Sequence, residues 1–190
     1  VLKKVIEYIN ELITSSGMIE KAYCLCDIIE KDGKKFPAEY CLNRYVQVSD
    51  FDKYKGLCYH RIDGDISISQ GEDESYGCDV LSSKTYPIIL IIGVKKDLFL
   101  NDKNDAYVEL SIIENLEYLI SSQNNTVLSS DLSADVISIS LTGASTDKYS
   151  IFKKEYSGIE FKIPVGYAYI SISYEVLITK KLSCHTQITC

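Results

Sequence analysis

GYAYISISYEVLITKKLSC, residues 166–184, is the stretch that decides the fold. Ala168, Ile170, Ile172, Tyr174, Val176 and Ile178 alternate with Tyr169, Ser171, Ser173, Glu175 and Thr179. A side-chain period of two puts the first set on one face of a β-strand, with that face buried. The alternation runs well past the roughly five or six residues of an ordinary strand. Its Tyr/Ser face therefore needs a cover of its own.

A second stretch, KTYPIILIIGVKK at residues 84–96, is apolar on both faces at Ile88, Ile89, Leu90, Ile91 and Ile92. Such a strand belongs in the middle of a sheet, covered on both sides. Upstream, Asp32-Gly33 separates two apolar runs and predicts a two-residue type I′ hairpin. That turn pairs Lys31 with Lys34 and sets Pro37 opposite Ile28, at a non-hydrogen-bonded site where its missing N–H costs nothing. The same register sets Cys24 opposite Cys41, close enough for a strained disulfide under oxidation. Asp63-Gly64 in GLCYHRIDGDISIS (residues 56–69) predicts a second, shorter hairpin.

Leu2, Val5, Ile6, Ile9, Leu12 and Ile13 recur at helical spacing until Ser15-Ser16-Gly17 stops them, with Lys3 placed to pair with Glu7. Val108, Ile112, Leu116, Leu119 and Ile120 mark a second helix, with Asn104 or Asp105 at its N-cap. ADVISISL (134–141) reads as a strand, TGASTDKYSIFKKEYSG (142–158) as a loop with room for a helical turn, and IEFKIP (159–164) as a strand leading to the last one. The pattern predicts one α+β domain over residues 1–190. Its antiparallel sheet carries a long protruding hairpin at 21–48, two helices packed on one face, and a flexible C-terminal tail at 182–190. Two helices leave the second face of Tyr86–Val94 to be covered by something else.

With 190 residues, 46% hydrophobic and 25% charged, the composition is that of an ordinary globular chain. No apolar run reaches the roughly 18 residues of a membrane helix. The amino-terminal stretch reads as a helix rather than a signal peptide. A net charge of −7 argues against gripping nucleic-acid phosphates, which needs clustered Lys and Arg. The seven cysteines, at 24, 26, 41, 58, 78, 184 and 190, contain no C-x-x-C and read as reduced cytosolic thiols.

Chemistry has few candidates. Cys58 and His60 lie two apart on a strand and so share a face, the minimum for a thiol–imidazole dyad; a half-buried thiol beside a surface histidine is the plainer reading. Cys184, His185 and Cys190 match no zinc spacing and lack a fourth ligand. Glu72, Asp73, Glu74 and Asp79 read as a solvated acidic loop. Asn124–Thr126 is a glycosylation sequon relevant only to a secreted chain. No P-loop, G-x-G-x-x-G or G-x-S-x-G is present. The expectation is a protein without enzymatic activity, metal or cofactor. Fifteen tyrosines suit a surface buried against a partner.

The order FDKYKGLCYHRIDGDISIS, GCDVLSSKTYPIILIIGVKKD, a helix, ADVISISL and a final VGYAYISISYEVLITKKLSC resembles the tail-terminator-like ring proteins of tailed bacteriophages. The likeness is nearest to the neck and connector proteins of crAss-like phages and covers most of the chain after the first helix. The resemblance implies a structural virion protein, assembled in the host bacterial cytoplasm. It would form a homo-oligomeric ring of 6 or 12 subunits at the head–tail junction. Its partners would be portal-adaptor, neck and tail ring proteins, with double-stranded DNA passing through the lumen unbound. Subunit contacts are then expected at Tyr86, Ile89, Ile91, Tyr169, Ser171 and Ser173, and Glu72, Asp73 and Glu74 are candidates to line the channel. The alternatives are an α+β protein-binding module without a virion role and, third, a small cysteine hydrolase built on Cys58 and His60.

Overall fold

Leu2–Ser15 forms α1, whose Val5, Ile6, Ile9 and Ile13 are buried along one stripe, as their spacing dictates. Lys3 and Glu7 approach to 3.8 Å on its exposed side. Gly17 follows with φ of 76°, a backbone conformation in which glycine meets no steric penalty. The computed structural model describes residues 1–72, 80–98, 107–121, 136–155 and 166–182. The expected strand at 159–164, the N-cap at Asn104 or Asp105, the sequon, and Asp73–Asp79 lie outside the described residues, as do 183–190. The last strand includes Leu182, so the expected tail begins no earlier than residue 183.

Strands β1 (Lys21–Lys31) and β2 (Lys34–Cys41) turn at Asp32 and Gly33, whose φ values of 54° and 71° are those of the type I′ turn. Lys31 faces Lys34 and Ile28 faces Pro37, in the register that the turn predicts. Two features differ from expectation. A second left-handed turn at Leu42 and Asn43 folds β3 (Arg44–Gln47) back on β2, so residues 21–48 form a three-stranded meander instead of a two-stranded hairpin. The β1–β2 ladder also ends at Cys26↔Glu39. Cys24 and Cys41 are therefore not a ladder pair: Cys41 faces Arg44, and the first half of β1 pairs in parallel with β4 (Gly56–Ile62).

The expected hairpin at Asp63-Gly64 does not form. Strands β4 and β5 (Ser67–Glu72) run in the same direction, end to end along one edge of β6 (Val80–Lys95). The four residues 63–66 span an interruption opposite Tyr86 and Pro87. A strand residue's N–H and C=O point to the same side. The Pro87 carbonyl accepts from Asp63 N–H at 3.0 Å, so the side on which proline lacks a donor faces the interruption. A proline in a central strand is tolerated because its neighbour is broken there.

The sheet order is β3-β2-β1-β4-β6-β8-β7, with β5 beside β6, β7 at Val136–Ser145 and β8 at Tyr167–Leu182. All pairings are antiparallel except β1 with β4, so the sheet is mixed. The chain is a single α+β domain. β6 and β8 pair along their whole length, from Val80↔Leu182 to Lys95↔Tyr167. Helices α1 and α2 (Val108–Ser121) cover one face, closing a core of Ile9, Ile13, Leu90, Ile92, Ile112, Leu116, Ile170 and Val176.

The second face is covered in part by the chain itself. Thr142–Ser145 continue β7, and Lys148–Glu155, expected as loop with room for a helical turn, form helix α3. The Asp147 side chain accepts from Tyr149 N–H at 3.1 Å and caps it. Ile151 and Phe152 of α3 and Phe51 of a short 3-10 turn (Phe51–Lys53) are buried against Leu57, Tyr59, Ile91 and Tyr169. The rings of Phe51, Phe152 and Tyr169 meet edge to edge-face, with centroids 5.2–5.7 Å apart. This cover fades along β8, where Ser171 is buried, Ser173 half-buried and Glu175 exposed.

Candidate functional site

Cys58 and His60 do share a face of β4, but it is the face beneath α1, and both are fully buried. Asn10, on the buried stripe of α1, is the residue that organises them. Its amide nitrogen donates to the Tyr23 carbonyl at 3.2 Å, which turns its Oδ1 toward His60 Nε2 at 2.8 Å. Since Oδ1 only accepts, Nε2 carries the proton. Nδ1 is then the acceptor, and the Tyr174 hydroxyl donates to it at 2.8 Å. Each ring nitrogen is thereby satisfied with the imidazole neutral.

Burial lowers the His60 pKa from its ordinary value near 6.5 to about 3. Burial also drives the Cys58 thiol far above its ordinary range, with Cys24 adding a smaller effect in the same direction. The Cys58 thiol points to Asn10 Oδ1 at 4.0 Å, and the ring nitrogens of His60 are engaged by Asn10 and Tyr174. A nucleophile needs a base in reach and a route for substrate; this thiol is fully buried and its hydrogen bond goes to Asn10. The cluster ties α1, β1, β4 and β8 together. Asn10 carried a readable signal, an amide on the stripe between Ile6 and Ile13. Tyr174 was equally visible, as the one hydroxyl on the apolar face of β8.

The six expected contact residues do not form one surface. Tyr86 lies on the helix side, half-buried beside the main core. Ile89, Ile91, Tyr169, Ser171 and Ser173 lie on the other side. Ile91 and Tyr169 are sealed beneath Phe51 and α3, and Ser171 is buried too, so these three are not available for a subunit contact. Ile89 and Ser173, both half-buried, stand at the margin of that cover. The Tyr169 hydroxyl is buried without a hydrogen-bond partner among the described residues. Of the channel candidates, Asp73 and Glu74 lie outside the described residues, and Glu72 is known only as the last residue of β5. The cysteines and histidine of the 184–190 stretch are outside them as well. Among the described residues, no three His, Cys, Asp or Glu side chains group as a metal site requires.

Past the amino-terminal end of α1, a groove of about 630 Å³ opens on the helix side, floored by Leu2, Tyr86 and Ile178 and edged by Lys3, Lys84 and Lys180. Ile68 of β5, directly across from Lys84, is exposed beside it. A smaller crevice of about 450 Å³ opens where β1 diverges from β4, with Asp27, Glu39 and Arg61 among its lining. No protein-family model matches the chain, and no curated protein is significantly similar to it.

Proposed function

We propose that this chain is a structural ring protein of a tailed-phage virion. In this reading it acts at the head–tail junction, as a neck, connector or tail-terminator subunit. It assembles with copies of itself and with neighbouring neck, portal-adaptor and tail proteins. Double-stranded DNA passes through the lumen without specific binding, in keeping with a net charge of −7.

The observation that carries the reading is the incomplete cover of the far end of the β6–β8 ladder among the described residues, where Lys84, Glu175 and Lys180 are exposed and Leu81, Tyr86 and Leu177 half-buried. Both strands continue beyond the helices on one side and beyond α3 on the other. Partly exposed sheet of this kind, with Ile66 in the β4–β5 connection and Ile68 on β5 in the open, is what a subunit contact covers. The order of sequence elements that resembles the ring proteins supports the same reading. The test is mass photometry and negative-stain imaging of the purified chain, alone and with the products of adjacent genes. Closed rings are expected. A monomer under every condition sinks the reading.

A further inference from the structure

The basic groove and the outer face of α2 form a complementary pair. Among the described residues, the groove at Leu2, Lys3, Lys84, Tyr86, Ile178 and Lys180 has three lysines and no carboxylate in its lining. This is a local reversal of sign in a chain with 27 acidic and 20 basic residues. Lys3 is partly engaged by Glu7 at 3.8 Å, whereas Lys84 and Lys180 are exposed and have no ion-pair partner among the described residues. The amino-terminal end of α1, which borders the groove, has no acidic residue in its first turn, so its positive end adds to the same potential.

Helix α2 is the opposite. It contains Glu109, Glu114 and Glu117 and no lysine or arginine. Glu109 turns toward the sheet and binds Lys96 at 3.1 Å. Leu110, Glu114, Glu117 and Tyr118 fall on one outward stripe by the i, i+4, i+7, i+8 spacing. Leu110 is 52% and Tyr118 74% exposed, and both glutamates are exposed. The buried residues Val108, Ile112, Leu116 and Ile120 occupy the other side of the helix, so the stripe points away from its own sheet and cannot reach its own groove.

We infer that the α2 stripe of one copy docks in the basic groove of the next, with Glu114 and Glu117 set against Lys84 and Lys180 and with Leu110 and Tyr118 on the floor of Tyr86 and Ile178. The inference rests on the ring reading and supplies its contact. Two unlike patches make a head-to-tail interface, the type that generates a ring when its rotation closes. Lysine facing lysine, or glutamate facing glutamate, disfavours pairing either patch with itself across a two-fold axis.

The test is a charge swap. Lys84→Glu with Lys180→Glu makes one variant, and Glu114→Lys with Glu117→Lys makes the other. Each alone is expected to self-associate at least about tenfold more weakly than the parent chain, and their equimolar mixture to recover assembly. All four positions are exposed, so thermal melts close to the parent's are expected; should either variant fail to fold, Tyr118→Ser must weaken assembly instead. Rings that form equally well in each variant alone overturn the docking and leave the ring reading standing. A mixture that fails to recover also overturns it. A parent chain that stays monomeric overturns both.

Discussion

The ring of Phe51 occupies the space that a β-carbon on Gly93 would fill. Gly93 lies near the end of β6, among Ile91, Ile92 and Val94, where a glycine otherwise only weakens a strand. It is there so that an aromatic ring can lie flat against the backbone on the second face.

Gly93→Ala is therefore expected to displace Phe51 and to cost about 1–3 kcal/mol by overpacking. Denaturant unfolding measures it. In a double-mutant cycle with Phe51→Leu the two losses should be markedly less than additive, because both act on one contact. Additive losses would show that the ring does not rest on Gly93.

Acid should weaken the fold through His60. Its folded pKa is depressed to about 3, while the unfolded chain protonates near 6.5. Between these values the unfolded state holds a proton that the folded state refuses. The stabilisation is fully present above pH 6.5 and is lost as pH falls toward 3, by up to about 5 kcal/mol. Carboxylates titrate in the same range, so the parent is compared with His60→Phe at pH 7 and pH 4.5. The variant is expected to be less stable at pH 7, with a smaller loss on acidification. Parallel pH profiles would mean that the imidazole is not held neutral.

Tyr169 and Ile91 separate burial within the chain from burial between chains. Tyr169→Phe removes a buried hydroxyl without a partner and is expected to leave stability unchanged or to raise it by about 1 kcal/mol, with assembly unaffected. Ile91→Asp strands a charge under Phe51 and α3 and should cost several kcal/mol, about 3–5, in the monomer itself. If Ile91→Asp melts like the parent and fails only to assemble, the second face is a subunit contact after all.

Cys58 should be the slowest of the four described thiols to alkylate. It is fully buried with its thiolate strongly disfavoured, whereas Cys24, raised to about 11 by burial and by Glu39, is half-buried. Mass mapping after iodoacetamide treatment at pH 8 should find Cys58 intact in the folded chain and modified in urea. Rapid labelling of Cys58 in the native state would reopen the hydrolase reading.

The sequence carried the register of β1–β2, the burial stripes of both long helices and the central position of β6. Each rests on a local rule, a two-residue turn or a sustained period. It misled at Asp63-Gly64, where a hairpin dipeptide serves as the connection between collinear strands. Turn chemistry specifies a local bend but not which strand receives the next segment, and here β6 takes both β4 and β5. Helix α3 was legible only as a helical turn within a loop, because eight residues hold barely two turns, too few for a period to show around Ile151 and Phe152. The His60 cluster was half legible. Cys58 and His60 were correctly set on one face, but their partners Asn10 and Tyr174 come from residues 50 and 114 positions away from His60.

The β6–β8 ladder also has a consequence in time. It joins residues about 70 to 100 positions apart, so its closure must wait until most of the chain has left the ribosome. Until β8 arrives, the nascent β6, apolar on both faces, has an unpaired edge and is prone to join a neighbouring polypeptide. Pro87 and the Lys-Lys pair at Lys95–Lys96 flank that run, in the manner of gatekeepers that discourage premature association.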